Sequence, residues 1–328
     1  MAITLPATLE YFPVQSGPFE FRTGLRALKD DPSSPGERLF QIDGQWLRYR
    51  AEKLAARRER FDKYVCRHQL SPAIAASAAR FVIQQICREW PDCFTLEQHA
   101  DAGALHCHIS GERLYFDREL VLTGTENGPQ PPYRDALDAL CCQLQEDFSI
   151  TRYDGAQDAI SYLHLCLPNY WAAADKIGLG FLDAHTPVPG MERINRQAGA
   201  LIAMLMERGP FERFTWGLTS DPRLNHHPEP PPGIAVEEWR GRRFDPAQPQ
   251  LWLRIERQVT AALPEVNGFI FTIRTYLRGI ESLNREELHS LSLAIETMPD
   301  AVSRYKGLDA QRREMLGYLQ RLMGGWKL

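Results

Sequence analysis

Apolar residues recur along this chain with two different periods, and the switches between them outline its elements. From Gln45 to His68, Leu47, Leu54, Phe61 and Val65 recur among many Arg and Lys residues, the stripe of a solvated helix with one buried face. Pro72 to Glu89 continues as a second helix. Leu105-His-Cys-His-Ile109 then alternates, Ser110-Gly111 supplies a turn and Leu114-Tyr-Phe116 follows, which predicts a β-hairpin. Pro132 to Gln145 sets Leu137, Leu140, Cys141 and Leu144 on one helical face. Phe148 to Arg152 is a short strand before the turn at Asp154-Gly155. Ser161 to Leu167 is a strongly apolar strand ended by Pro168, and Trp171 to Ala184 predicts a helix that delivers His185.

A further helix spans roughly Met191 to Arg208, and Phe211 to Leu218 reads as a strand. The stretch from Asp221 to Gly233 is rich in Pro and His, and its polarity predicts a surface loop or lid. Leu251 to Gln258 and Gly268 to Leu277 are the clearest strands, with Pro264 and Asn267-Gly268 between them. Helices from Asn284 and from Leu308 close the chain. Short connections between late strands imply antiparallel pairing, so the expected class is α+β. Residues 1–45, with Tyr11-Phe-Pro13 and Gly17-Pro-Phe19, predict an extended arm packed on a single domain over residues 46–328.

Composition narrows the chemistry. With 328 residues, 44% hydrophobic and 24% charged, the chain can bury a full core and disorder is excluded. A net charge of −4, with Arg and Lys spread along the chain, leaves no electrostatic footprint for nucleic acid. No apolar run is long enough to cross a bilayer and no leader pattern is present, so a cytoplasmic protein is expected, without a membrane partner. Seven cysteines without framework spacing read as free thiols. The chain has no C-x-x-C pair for an iron–sulfur cluster, no Walker sequence and no G-x-S-x-G elbow. Gly178-Leu-Gly180 carries only part of a dinucleotide fingerprint. Covalent haem attachment lacks its C-x-x-C-H motif, so any haem would be non-covalent.

Several side chains remain as candidates. His185 stands at a predicted helix end, where Pro187 and Pro189 stiffen the backbone. An imidazole held this way suits a general base, an axial haem ligand or a core residue. His106 and His108 share one strand face and could form a two-His platform, although nothing nearby completes it. His226-His227 reads most simply as solvated. Arg254, Glu256 and Arg274 lie within apolar strands, where a charge must be paired or functional. A salt-bridged sheet face and an anchor for a carboxylate or haem propionate are the two readings. Trp216 and Asp221 place an aromatic and an acid near the loop mouth, where Asp221-Pro222 also serves as a turn initiator.

Five segments together carry a resemblance: Leu144-Gln-Glu-Asp-Phe148; Lys176-Ile-Gly178 with Ala184-His-Thr-Pro-Val-Pro189; Phe214-Thr-Trp216 with Ser220-Asp-Pro222; Leu253-Arg-Ile-Glu-Arg-Gln258; and Phe271-Thr-Ile-Arg-Thr-Tyr-Leu277. Their order and spacing, across roughly Phe21 to Arg304, resemble the α-subunit family of haem-dependent oxidative N-demethylases. The resemblance implies a PAS-like antiparallel sheet with flanking helices and helical N- and C-terminal extensions, binding haem b with His185 as the axial metal ligand. It implies O2-dependent action on a small secondary amine such as dimethylamine, and the chemistry expected from this is oxidation to an iminium, which water hydrolyses to primary amine and formaldehyde. Electrons would come from NADPH through reductase-type partner subunits that carry FMN, [2Fe–2S] iron–sulfur and tetrahydrofolate functions. On this reading Lys176, Trp171 and Arg254 accompany His185 in holding the cofactor. Arg274 and Asp221 orient or polarise the reacting site, and Trp216, Asp221 and Tyr276 contact the amine. A haem-based gas sensor without catalysis, and a cofactor-free structural subunit, stand as the alternatives.

Overall fold

The computed structural model describes residues 3–324, apart from residues 100–101, 187, 191–197, 240 and 242. Two antiparallel sheets organise it. The larger has seven strands in the order β1-β9-β10-β11-β7-β8-β2. These are β1 (Arg26–Ala27), β2 (Val65–Arg67), β7 (Asp147–Tyr153), β8 (Asp158–His164), β9 (Phe211–Thr219), β10 (Trp252–Leu263) and β11 (Gly268–Gly279). The smaller is a four-stranded meander of β3 (Phe94–His99), β4 (Ala102–Cys107), β5 (Glu112–Asp117) and β6 (Leu122–Glu126). The expected hairpin is its central pair, with Leu105 opposite Leu114. The α+β class therefore stands.

The pleat of the large sheet separates two chemistries. The register sets Arg254 beside Leu277 and Gly217, and Glu256 beside Thr275 and Thr215, on one face. Arg257 pairs with Arg274 and Phe214, and Ile255 with Tyr276 and Trp216, on the other. That second face is closed by α1 (Trp46–Tyr64), α2 (Pro72–Glu89) and α3 (Ala136–Cys141), which pack Trp46, Ile83 and Leu140 against Phe148, Ile150 and Ile270. Helices over Arg285–Thr297 and Arg312–Gly324 continue the cover through Leu291, Ile295 and Leu319 against Ile255 and Tyr276. α2 starts where Ser71 Oγ accepts from Ile74 N–H at 3.2 Å ahead of Pro72. The helix at Arg285 starts with a capping box between Asn284 and Glu287.

The first face is covered more loosely. Here α4 (Phe181–His185) and α5 (Ala198–Arg208) lie over the sheet. α5 packs Ile202 and Leu205 on Phe269, beside Phe181. The segment Trp171 to His185 is not the single helix expected. It forms a 3-10 turn at Ala173–Asp175, a break and then α4, because Gly178 adopts φ +81° and Gly180 is extended. Gly178 also lies against His68, whose ring would be 3.2 Å from a Cβ there. The expected helix over Pro132 to Gln145 is only the six residues of α3, and the Met191 to Arg208 helix is described from Ala198. Pro187 and the start of that last helix lie outside the described residues. Residues 3–45 run largely without regular structure, joined to the sheet edge where β1 pairs with β9.

Candidate functional site

The first face of the large sheet bounds a cavity of about 940 Å³, at the upper end of the 300–1,000 Å³ usual for small-molecule sites. Its floor is the pleat itself: Leu163 and Ile160 of β8, Ser149 and Thr151 of β7, Phe269, Phe271 and Ile273 of β11, and Arg254, Glu256 and Gln258 of β10. Trp171, Lys176, Phe181 and His185 form one wall, and Arg213 on β9 another. Arm residues Phe19 to Arg22 and the C-terminal Tyr305 and Lys306 stand around the rim.

His185 is the last residue of α4, and its Nδ1 lies 2.7 Å from the carbonyl of Phe181 one turn earlier. A carbonyl only accepts, so Nδ1 carries the proton and Nε2 keeps its lone pair. Burial, with the nearby charges of Lys176 and Arg213 acting in the same sense, lowers the imidazole to about 4 against the opposing Phe181 bond. The ring is therefore neutral at pH 7. This is the state a metal ligand needs, with the second nitrogen already committed to an orienting acceptor. The Phe181 ring supports it at 4.4 Å between centroids.

Lys176, Arg213 and Glu256 are among the charged residues that share the cavity with this histidine. Lys176 lies over the Trp171 ring, its Nζ 4.4 Å from the centroid, and burial lowers its pKa against the pull of Glu256. Burial likewise lowers Arg213, again opposed by Glu256, and its Nε is buried without a hydrogen-bond partner. Neither cation has a carboxylate within ion-pair distance among the described residues. Glu256 accepts from Gln258 Nε2 at 3.1 Å and Thr215 Oγ1 at 3.4 Å, and its Oε1 is 3.7 Å from Arg254 Nε. A carboxylate so placed can accept from a cationic amine.

These residues fit a haem. A floor that carries Ile160, Leu163, Phe269, Phe271 and Ile273, a neutral histidine with an uncommitted lone pair and two cations without a carboxylate partner among the described residues match a planar macrocycle that carries an iron and two carboxylates. His185 would ligate the metal, and Lys176 and Arg213 would take the propionates. Arg254 is less suited than the sequence implies. Nη1 is directed to Leu224 O and His226 Nδ1, and Nη2 to Leu167 O, Pro168 O and Thr275 Oγ1, which leaves Nε facing the cavity.

The structure thus brings His185, Lys176, Trp171 and Arg254 together, with Trp216 at the β9 edge of the cavity. By register Trp216 belongs to the opposite pleat, yet it reaches the cavity edge, where Lys306 Nζ at the rim lies 5.0 Å from its ring centroid. Three expected site residues are elsewhere. Arg274 and Tyr276 face the helical side, because strand alternation turns both away from Glu256: Arg274 pairs with Asp43 at 2.9 Å, and Tyr276 donates to Gln41. Asp221 lies behind Arg254, bound to Arg223 and His226, and does not line the cavity. The loop from Asp221 to Gly233 is not a simple surface lid. Leu224, His226 and His227 are buried in it, so the expectation of solvated histidines fails.

Sequence reading missed Arg213 and Gln258. Arg213 alternates with the aromatic Phe214 and Trp216 along β9, and only pairing with β10 shows which pleat turns toward Glu256. His106 and His108 do meet, with ring centroids 4.1 Å apart on the small sheet, but no third ligand joins them among the described residues. The one compact set of metal-capable groups described is Asp138, Cys142 and His164 on the helical face. There Arg57 already engages both oxygens of Asp138 at 2.7 Å. All seven cysteines are free, and no described helix is long and apolar enough to cross a membrane.

Residues 32–316 match the family model described as haem-dependent oxidative N-demethylase, alpha subunit-like. That description carries haem dependence and implies other subunits beside this one. With a neutral, backbone-oriented His185 at the wall of a cavity that fits haem, the chain belongs to this family of haem-dependent oxidative N-demethylase alpha subunit-like proteins.

Proposed function

We propose that this protein binds haem b non-covalently through His185 and oxidatively demethylates a small secondary amine of the dimethylamine type, using O2. The overall reaction balances as secondary amine, O2, NADPH and a proton giving primary amine, formaldehyde, water and NADP+. The observation that carries the reading is the pairing, in one cavity, of a neutral histidine whose Nδ1 is tied to Phe181 O with the carboxylate of Glu256.

When bound, haem supplies the redox-active iron for the O2-dependent chemistry. The protein's own residues do the rest. Phe181 O holds the imidazole in one tautomer. Lys176 and Arg213 counter carboxylates that the apolar floor would otherwise leave unpaired. Glu256 accepts a hydrogen bond from the ammonium form of the amine and can take the proton that must leave before nitrogen gives up electrons. Phe269, Phe271 and Ile273 keep water from competing at the carbon being oxidised.

An antiparallel sheet with a cavity on one face and flanking helices supports a PAS-like assignment. The electrons would arrive from NADPH through partner subunits carrying flavin and iron–sulfur centres, in the cytoplasm. Visible spectra of the purified protein, oxidised and dithionite-reduced, with and without dimethylamine, test the reading. A Soret band perturbed by the amine is expected. A band indifferent to amines would favour a gas-sensing role, and no band after haem reconstitution would sink both.

A further inference from the structure

Behind Arg254 lies a chain of polar contacts that leads out of the cavity. His226 Nε2 is 2.9 Å from Asp221 Oδ1, and His226 Nδ1 is 3.4 Å from Arg254 Nη1. Arg254 can only donate, so Nδ1 accepts; the proton of the neutral ring then sits on Nε2 and is donated to Asp221. The three groups make a self-consistent sequence of carboxylate, imidazole and guanidinium.

The surroundings hold this sequence in place. The Tyr170 ring stacks on His226 at 5.0 Å with 5° between planes. The His226 backbone is fixed by hydrogen bonds to Pro168 O and from Tyr170 N–H, each 3.0 Å. Gly241 passes so close that a Cβ there would lie 2.7 Å from His226 Nε2 and closer still to Asp221, so glycine permits the contact. Arg223 closes the outer end by bonding both oxygens of Asp221, at 3.1 Å and 2.8 Å.

We propose that Asp221 and His226 are positioning residues that act through Arg254 to hold the Glu256 carboxylate where it meets the amine. With both Nη atoms committed to Leu224 O, His226 Nδ1, Leu167 O, Pro168 O and Thr275 Oγ1, the guanidinium can turn only its Nε toward Glu256. Nε stands 3.7 Å from Glu256 Oε1, beyond hydrogen-bond distance, so the guanidinium holds the carboxylate by charge without consuming it in a two-point ion pair. Asp221 thereby acts on the site from a distance, without lining the cavity. The proposal rests on the reading of Glu256 as the amine's partner.

The test is calorimetric titration of dimethylamine into the haem-loaded protein, with crystal structures of the variants. His226→Leu removes one of the two acceptors of Arg254 Nη1 and leaves Leu224 O, whereas His226→Asn keeps an oxygen near the place of Nδ1. The expected result is about tenfold weaker amine binding in His226→Leu, the size of one lost net hydrogen bond, with affinity restored to within about twofold in His226→Asn. The Arg254 side chain should be displaced in the first variant only. If Glu256→Gln loses amine binding while His226→Leu binds as the parent does, the relay is wrong. If Glu256→Gln binds as the parent, the functional reading of Glu256 fails, and an unmoved Arg254 in His226→Leu then sinks the relay separately. Should His226→Leu fail to fold, Asp221→Asn on the partly exposed outer residue carries the same comparison, with weaker amine binding expected and parental binding overturning the proposal.

Discussion

The two faces of the seven-stranded sheet carry the same kinds of charge and treat them differently: Arg57, Arg257 and Arg274 are buried, Lys176 and Arg213 half-buried. On the helical face Arg257 bonds Glu212 at 2.6 Å and the carbonyls of Leu39 and Arg38, Arg274 meets Asp43 at 2.9 Å, and Arg57 meets Asp138 at 2.7 Å. These three guanidinium groups are matched by carboxylates of this chain, while the buried Lys53 donates to the carbonyls of Cys141 and Glu146. On the cavity face Lys176 and Arg213 have no such partner among the described residues, and Arg254 stands 3.7 Å from Glu256. Burying a charge costs several kcal/mol unless it is paired. A fold that matches its ions on one side and leaves them open on the other marks the open side as the place for a charged ligand.

The largest test of this contrast is His185→Ala. Reconstituted with haem, the variant should lose the imidazole-ligated spectrum. Its haem affinity should fall by more than the roughly 10–100-fold that loss of a supporting partner costs a metal site, while its melting curve without haem stays close to the parent's. Unchanged axial spectra would remove His185 as the ligand and blur the two faces.

Arg274→Met probes the other side. It strands Asp43, and breaking one half of a buried pair should cost about 3–5 kcal/mol in denaturant unfolding. Amine binding by the folded fraction should not change, because Arg274 is on the helical pleat. A selective loss of amine binding at full stability would return Arg274 to the site. Glu256→Gln should do the reverse. Losing a hydrogen bond to a charged group is worth about 1.5–3 kcal/mol, so calorimetry should show amine affinity lower by roughly 10–150-fold, with little change in stability.

Acid titration reads both faces at once. Burial lowers His185 and His226 to about 4, so between pH 6.5 and 4 the unfolded chain binds protons that the folded one excludes. Each of these histidines should therefore withdraw about 1 kcal/mol per pH unit on the way from pH 6.5 to 4, while Glu89 and Asp147, raised by burial to about 7 and about 6, act in the opposite sense. His185→Gln should flatten the share belonging to the cavity face. A parental slope in that variant would show that His185 does not titrate with folding.

Periodicity made most of the scaffold legible. β10 and β11 stand out because long apolar alternation with β-branched and aromatic residues has few other solutions, and α2 is bracketed by Ser71-Pro72 and Trp90. The edge strands β3 and β6 were missed, since half-exposed polar strands such as Leu122–Glu126 carry little apolar signal. The segment from Trp171 to His185 has helical composition, yet Gly178 and Gly180 take it out of the helix to fit against His68 and Asp158. Local propensity is a weak prior there, and packing decides.

For the site, the sequence by itself determined which side chains could do chemistry. A histidine bracketed by glycines and prolines, and charges embedded in apolar strands, are visible without coordinates because each has a desolvation cost that demands a reason. Only the tertiary structure decided which of them meet. A strand sends neighbouring residues to opposite faces, so Glu256 enters the cavity while Arg257 leaves it, and Arg274 is turned away by the same rule. The burial of His226 behind Arg254 depends on a bridge to Asn169 and on Gly241, residues 57 and 15 positions distant in the chain. Such separations carry no periodic signal, which is why Asp221 could be recognised as a candidate from sequence but not placed behind the cavity.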